Sequence, residues 1–445
     1  MYIYTIILPK HTVMERIAMQ YLVNWKDKTN RKPVIIKGAR QVGKTWLLKE
    51  FGKRNYKQTA YVNFESSRLL QNLFVDDFDI KRIISTIGIE TGLQINPNNT
   101  LIILDEIQEA DGGITALKYF DENAPEYHVV AAGSLLGISL HKQSSFPVGK
   151  VEFLNLYPLN FHEFLLAKSE QQLLQLITKK EWKLVKQFKV KYINLLKQYY
   201  YVGGMPEAVL YFSETDDYNE VRQIQYRIIA SYEQDFSKYA PSEIVPRIRM
   251  LWNAIPAQLA KENRKFIYSA IKKGSRAKDF ELALSWLNDC GLVYKVNRIT
   301  KPGIPLKAYE DFNAFKLFTV DVGLLAAMGN ISVKTLLEGN LIFEEFKGAI
   351  TEQYVLQQLK TIEEMVIYYW SSEKSSGEID FVLQYNEDVY PVEVKAEENL
   401  QAKSLKSFKL KYPNTTAIRT SMSDYREDDW LTNIPLYSIF AVADS

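Results

Sequence analysis

Four short apolar runs, 33–37, 60–64, 101–104 and 128–132, recur through the first third of the chain with longer segments between them. Runs apolar on both faces and spaced by helices predict a buried parallel sheet. Ahead of the first run, Met14 opens an amphipathic helix carrying Ile17, Tyr21, Leu22 and Trp25. From about Phe161 the period becomes helical, with Trp182, Val185, Phe188, Tyr192, Leu195 and Tyr199 on one stripe at steps of three or four. Further on, Phe280, Ala283, Leu284, Leu287 and Cys290 share a helix face that Gly291 closes, and a short strand follows at 291–296. From about Leu341 the pattern predicts a helix, strands at 378–383 and 389–395, a lysine-rich helix and an apolar strand near 434–442. That order is a separate α/β domain.

Composition narrows the function classes. The 445 residues suggest about three domains. With 55 Lys+Arg against 53 Asp+Glu the net charge is +2, so any basic surface must be local. The single cysteine, Cys290, excludes an intramolecular disulfide, and the scattered His11, His128, His141 and His162 make a structural zinc site a poor fit. The longest uncharged apolar stretch, 129–140, falls short of the roughly 20 residues that span a bilayer. Residues 2–8 are apolar but lack a basic segment before and a cleavage site after, so no signal peptide is expected. Residues 1–13 read either as an extra strand or as an overextended start. The expectation is a soluble protein of the reducing cytoplasm.

The strongest chemical signal is Gly38-Ala39-Arg40-Gln41-Val42-Gly43-Lys44-Thr45, which follows an apolar strand and precedes a helix. Glycines at those positions let backbone N–H groups turn inward on phosphates, and the helix N-terminus adds its positive end. Lys44 supplies a point charge to the same phosphates, and Thr45 offers a hydroxyl to Mg²⁺. The run at 101–104 ends in Asp105-Glu106, where the aspartate is placed to hold Mg²⁺ and the glutamate to polarise an attacking water. At the end of another strand, Ser134 is a candidate sensor of the γ-phosphate; its alternative is a small-residue turn.

These segments, with Leu104-Asp-Glu-Ile-Gln108, Gly133-Ser134, Leu156-Tyr-Pro-Leu-Asn-Phe-His-Glu-Phe-Leu165 and Gly203-Gly-Met-Pro206, resemble a prokaryotic AAA-type P-loop ATPase family. The resemblance implies a C-terminal domain of unknown function similar to restriction-endonuclease-like folds. In that family an arginine usually follows the glycine matching Gly149, whereas this chain has Lys150. An arginine-finger role at that position is not implied.

A second candidate site lies in the last domain. Asp380 and Glu393-Val-Lys395 have the spacing D-x₁₂-E-x-K, and strand alternation puts Glu393 and Lys395 on one face. Two carboxylates on a divalent cation beside a lysine form a phosphodiester-cleaving arrangement; the alternative is a surface salt bridge. Glu352 lies on an apolar helix stripe with Ala349, Val355, Leu356 and Leu359, where its charge needs a metal or a partner group. The order helix acid, strand Asp, strand Glu-x-Lys resembles the PD-(D/E)xK nuclease core. A degenerate core kept for binding or packing is the other reading.

The combined expectation is an α/β chain. An AAA-type P-loop ATPase domain with a parallel sheet spans 14–165, and a helical linker or lid spans 166–240. A winged-helix-like domain at 241–335 and a PD-(D/E)xK nuclease-like, restriction-endonuclease-like domain at 336–445 follow. The cofactors are ATP with Mg²⁺, or Mn²⁺ at the nuclease-like site. The partners are DNA, no membrane, and a second copy or another protein through the winged-helix-like region. For DNA the basic candidates are Lys179, Lys180, Lys183, Lys186, Lys189, Lys191 and Lys197; Lys403, Lys406, Lys409 and Lys411; and Lys272, Lys273, Arg276 and Lys278. The function expected is nucleotide-controlled DNA binding or cleavage, with a non-cleaving switch or adaptor as the rival.

Overall fold

The computed structural model describes residues 14–134, 149–260, 265–338, 344–372, 377–398 and 401–444. The two alternatives for residues 1–13, and His11 and His141, lie outside the described residues. The chain divides into two compact units. The first holds Glu15–Tyr157 together with Ser285–Leu292; the second holds Pro158–Leu284 and Val293–Ser445.

In the first unit the four apolar runs become strands β1 (Val34–Lys37), β2 (Gln58–Asn63), β3 (Thr100–Asp105) and β4 (His128–Ala132), joined by β5 (Glu152–Asn155). All pairings are parallel, in the order β2-β3-β4-β1-β5. β3 is buried at every position, which is why its sequence carries no polar alternation. The chain leaves β1 for the far edge, returns through β3 and β4, and then crosses to the other side of β1. The strand order therefore reverses next to β1, and in open α/β sheets ligands bind at the carboxyl ends of the strands flanking such a reversal. The core beneath is built from Ile35, Val62, Phe64, Ile83, Ile102, Leu104, Leu117 and Phe120, among others. The first helix runs Ala18–Lys26 and buries Met19, Leu22 and Trp25. Ile17, expected on its inner face, is 47% exposed, and Arg16 is buried instead.

The second unit carries an eight-stranded mixed sheet. Its strands are β6 (Val293–Ile299), β7 (Glu310–Thr319), β8 (Val366–Ser371), β9 (Glu378–Tyr385), β10 (Asp388–Val394), β11 (Ala417–Ser421), β12 (Arg426–Asp428) and β13 (Leu431–Pro435). The order is β12-β13-β11-β10-β9-β8-β6-β7. The short strand expected at 291–296 in a separate winged-helix-like domain is β6, which pairs antiparallel with β7 and continues the C-terminal sheet through β6–β8 pairing at Arg298–Tyr369 and Ile299–Trp370. The expected boundary at 335/336 thus falls inside one sheet.

Two local expectations change. The stripe from Trp182 to Tyr199 is two helices, Trp182–Gln187 and Lys189–Val202, and Phe188 at the junction is 45% exposed. The final apolar strand near 434–442 is a strand only to Pro435; Leu436–Asp444 is 3₁₀. Leu436, Tyr437, Ser438 and Ile439 are all buried, and the 3₁₀ segment kinks at Ala441. Among the described residues no helix is long and apolar enough to cross a membrane.

Candidate functional site

The loop after β1 is shaped by its glycines. A Cβ on Gly38 would lie 2.1 Å from the Leu156 carbonyl oxygen, so only glycine fits that approach. Gln41 and Gly43 both have positive φ, 67° and 92°, and this alternation curls the backbone into an N–H-lined concavity at the N-terminus of helix Lys44–Asn55. Arg16 braces the loop from behind, donating to the Val42 carbonyl at 2.9 Å and to the Tyr157 carbonyl at 2.6 Å. Gly291, at φ 71°, packs on its front: a Cβ there would stand 3.3 Å from Ala39 N.

Lys44 is buried, and its ammonium donates to the Gly38 and Ala39 carbonyls at 2.9 and 2.8 Å. It makes no ion pair among the described residues. Burial pushes its pKa down to about 8, against the weaker pull of Glu106 and Asp105. A cation so placed suits a ligand that brings its own negative charge.

At the end of β3 the acidic pair is held from helix Lys44–Asn55, from β2, from the 3₁₀ turn that follows β3 and from the segment after β4. Asp105 Oδ2 accepts from the Thr45 hydroxyl at 2.7 Å and from the Tyr61 hydroxyl at 2.9 Å, while Oδ1 accepts the Glu106 N–H at 3.1 Å. Thr45 and Asp105 are therefore adjacent, as ligands sharing one Mg²⁺ must be. Glu106 sits at φ 50°, an uncommon region for a residue with a side chain. Its carboxylate accepts from Ser134 N at 3.2 Å, from Ser134 Oγ at 3.1 Å and from Gln108 Nε2 at 2.6 Å. Ser134, expected to face the γ-phosphate, here holds Glu106. Lys150 pairs with Asp121 at 3.4 Å and Glu122 at 3.1 Å on helix Gly113–Asn123.

Arg16, Tyr61 and Gly291 were not visible as site residues in the sequence. Tyr61 lies on edge strand β2, where its period-two position reads as an ordinary half-buried aromatic. Burial pushes its hydroxyl pKa up to about 12, so it donates to Asp105 across the physiological range.

In the second unit the residues of the D-x₁₂-E-x-K pattern do come together. β9 and β10 pair with Phe381 opposite Val392, so the next step sets Asp380 opposite Glu393. Asp380 Oδ2 accepts the Val394 N–H at 2.8 Å, and Lys395 Nζ reaches Glu393 Oε1 at 2.8 Å. Glu393 Oε2 is buried with no hydrogen-bond partner, and burial raises this carboxyl's pKa against the lowering effect of Lys395. Glu352 is nearly fully buried, and its partner is a residue the sequence reading missed. Lys316 of β7, wholly buried, stands 3.3 Å from Glu352, 2.5 Å from Glu378 and 3.9 Å from Asp380. Among the described residues no group of three or more His, Cys, Asp or Glu side chains is arranged to hold a metal.

The three basic stretches part ways. Lys186 pairs with Asp424, Lys189 with Glu398 and Asp424, and Lys191 with Glu170, while Lys197 donates to the Leu337 carbonyl. Trp182 stacks on Tyr425 at 4.3 Å. Those four lysines have partners within the second unit, while Lys179, Lys180 and Lys183 are exposed. Lys409 caps the Pro413 and Thr415 carbonyls and Lys411 lies over Trp370, which leaves Lys403 and Lys406 exposed. Lys272, Lys273, Arg276 and Lys278 are exposed and make no ion pair among the described residues.

Comparison with known proteins places these features. Residues 30–165 match the model of an AAA domain. Residues 193–335 and 347–439 match two models described as domains of unknown function, DUF8612 and DUF4143. No curated protein matches the chain. Among solved structures, a Walker-type ATPase of Pyrococcus abyssi is similar at 13% identity, covering 72% of this chain and 97% of its own, with a TM-score of 0.45. The Orc1 protein of Aeropyrum pernix, in complex with DNA, is similar at 12% identity over 73% and 93%, with a TM-score of 0.28. Overlays at those scores fix nothing by themselves. With the parallel five-stranded sheet, the AAA match defines the first unit as an AAA-type P-loop ATPase domain.

Proposed function

We propose that the chain is an MgATP-hydrolysing switch whose second unit is a nuclease-like binding module for DNA. The observation that carries the first half is Lys44: a buried ammonium hydrogen-bonded to loop carbonyls and making no ion pair among the described residues, beside a Thr45–Asp105 pair in direct contact. When bound, Mg²⁺ neutralises phosphate charge and orients the γ-phosphoryl group. Thr45 and Asp105 would hold it, and the loop N–H groups from Gly38 to Thr45, with Lys44, bind and orient the phosphates. Ala39, Arg40, Gln41 and Val42 contribute backbone in this scheme. Glu106 accepts the proton of the attacking water. To do so it must loosen its bonds to Ser134 and Gln108, which makes that contact a gate on turnover.

For the second unit, the support for DNA binding is the exposed unpaired set Lys272, Lys273, Arg276 and Lys278 with Lys403 and Lys406. A second reading, metal-dependent cleavage at Asp380, Glu393 and Lys395 with Mg²⁺ or Mn²⁺, is favoured by one observation: the buried, partnerless Glu393 Oε2 beside Asp380.

The test is a paired assay on the full chain. Lys44→Ala weakens ATP binding at least tenfold, about 1.4 kcal/mol. Glu106→Gln keeps ATP bound and loses turnover. Wild-type hydrolysis in Glu106→Gln would remove Glu106 from its role. Neutralising the four residues from Lys272 to Lys278 flattens the salt dependence of DNA affinity by several units of slope, and an unchanged slope would make that surface a protein contact.

A further inference from the structure

The case for a metal at the C-terminal cluster leans on Glu352, an acid on an apolar helix stripe whose charge must be compensated. The compensating group is on β7. Lys316 lies in the run Phe315-Lys316-Leu317-Phe318, and its side chain has no exposed surface. Its ammonium stands within ion-pair distance of Glu352, Glu378 and Asp380 at once, and it lies 5.1 Å from the Tyr369 ring centroid. A divalent ion drawn to Glu352 and Asp380 would compete with the Lys316 ammonium already within ion-pair distance of both, and a dication beside a buried monocation is repelled. Asp380 also has its other oxygen committed to the Val394 N–H, and one Glu393 oxygen is committed to Lys395. The donor set therefore does not fit the ion that the nuclease pattern implies.

We propose that Lys316 is the resident cation of this carboxylate cluster and that the cluster is closed to divalent metal in the folded protein. The inference deepens the binding-module reading: Lys316 and Lys395 are the ion-pair partners of the acids on the nuclease-like sheet, and its role does not pass through phosphodiester cleavage. Glu352 and Glu378 are then lysine partners, and Asp380 is shared between Lys316 and the β10 backbone.

The test is a Mn²⁺ titration of the nucleotide-free full chain, with free Mn²⁺ read by electron paramagnetic resonance. Wild type and Asp380→Asn should titrate alike, within about twofold. Lys316→Met should take up an additional Mn²⁺, and Asp380→Asn in the same chain should remove it. If Lys316→Met does not fold, Lys316→Met with Glu352→Gln should regain most of the lost melting temperature, because the pair leaves together. A wild-type Mn²⁺ site that Asp380→Asn weakens more than about tenfold overturns the proposal, and so does a double variant no more stable than Lys316→Met alone. DNA retention measured on the same wild-type sample separates the two ideas. Absent retention with no Asp380-dependent Mn²⁺ site sinks the binding-module reading and leaves Lys316 in its place.

Discussion

Lys44 in the first unit and Lys316 in the second are both buried ammonium groups, yet one meets carbonyl oxygens and the other meets carboxylates. A buried charge without a counter-charge is costly, and such a charge persists where function needs it. At Lys44 the proposed nucleotide phosphates supply negative charge. At Lys316 the counter-charge is already present, because the carboxylates of Glu352, Glu378 and Asp380 lie within ion-pair distance. The same residue types, read from sequence as two metal-assisted phosphate sites, thus separate into one lysine that meets loop carbonyls and one that meets carboxylates.

The largest way to break this comparison is Lys316→Met, which leaves buried carboxylates without their cation and should cost about 3–5 kcal/mol in thermal or denaturant unfolding. Lys44→Met removes an ammonium that makes no ion pair among the described residues, so the nucleotide-free protein should stay within about 1 kcal/mol of the parent or rise above it. Two equal losses would mean that Lys44 has an internal role like that of Lys316. Next in size, Tyr61→Phe takes one donor from Asp105, and a hydrogen bond to a charged group is worth about 1.5–3 kcal/mol. The Mg²⁺ concentration for half-maximal ATPase activity should rise about tenfold with ATP affinity little changed; an unchanged Mg²⁺ dependence would make Tyr61 a packing residue.

The smallest effect is a pH dependence of the ATPase unit. His128 meets the Tyr56 hydroxyl at 2.5 Å, and burial, with Arg31 and Lys26 adding, pushes its pKa down to about 4 from the ordinary 6.5. The unfolded chain therefore takes up a proton near 6.5 and the folded one only near 4. Stability present above 6.5 is lost as pH falls toward 4, on the order of 1 kcal/mol by pH 5 after allowance for solvent screening. His128→Phe should flatten that slope in melts at pH 7 and 5. An equal slope in the variant would assign the acid sensitivity elsewhere.

Much of the first unit was legible in the sequence because each of its signals is local. The loop 38–45, Asp105-Glu106 and Ser134 each sit at the end of an apolar strand, and the parallel sheet then brings those ends together. The strand order was not legible, since it depends on crossovers that no local pattern records. Tyr61 and Arg16 were missed because their partners lie 44 and 26 positions away. In the second unit, Asp380, Glu393 and Lys395 were legible through strand alternation and antiparallel register. Lys316 had a signal that went unread: a single charge inside the apolar run Ala314 to Phe318, which on a buried strand must find acid. The continuity of β6–β7 with the C-terminal sheet was hidden for another reason, because the helix-glycine-strand order looks the same whether the strand joins a small wing or a large sheet.

The central claim is that the first unit binds MgATP through a buried lysine whose hydrogen bonds go to loop carbonyls, and calorimetric titration of the full chain with ATP and Mg²⁺ tests it most directly. Wild type should bind one nucleotide, and Lys44→Ala should bind at least about tenfold more weakly while melting no earlier in the nucleotide-free state. ATP affinity that survives intact in Lys44→Ala, or a wild type that binds no ATP, would contradict the account.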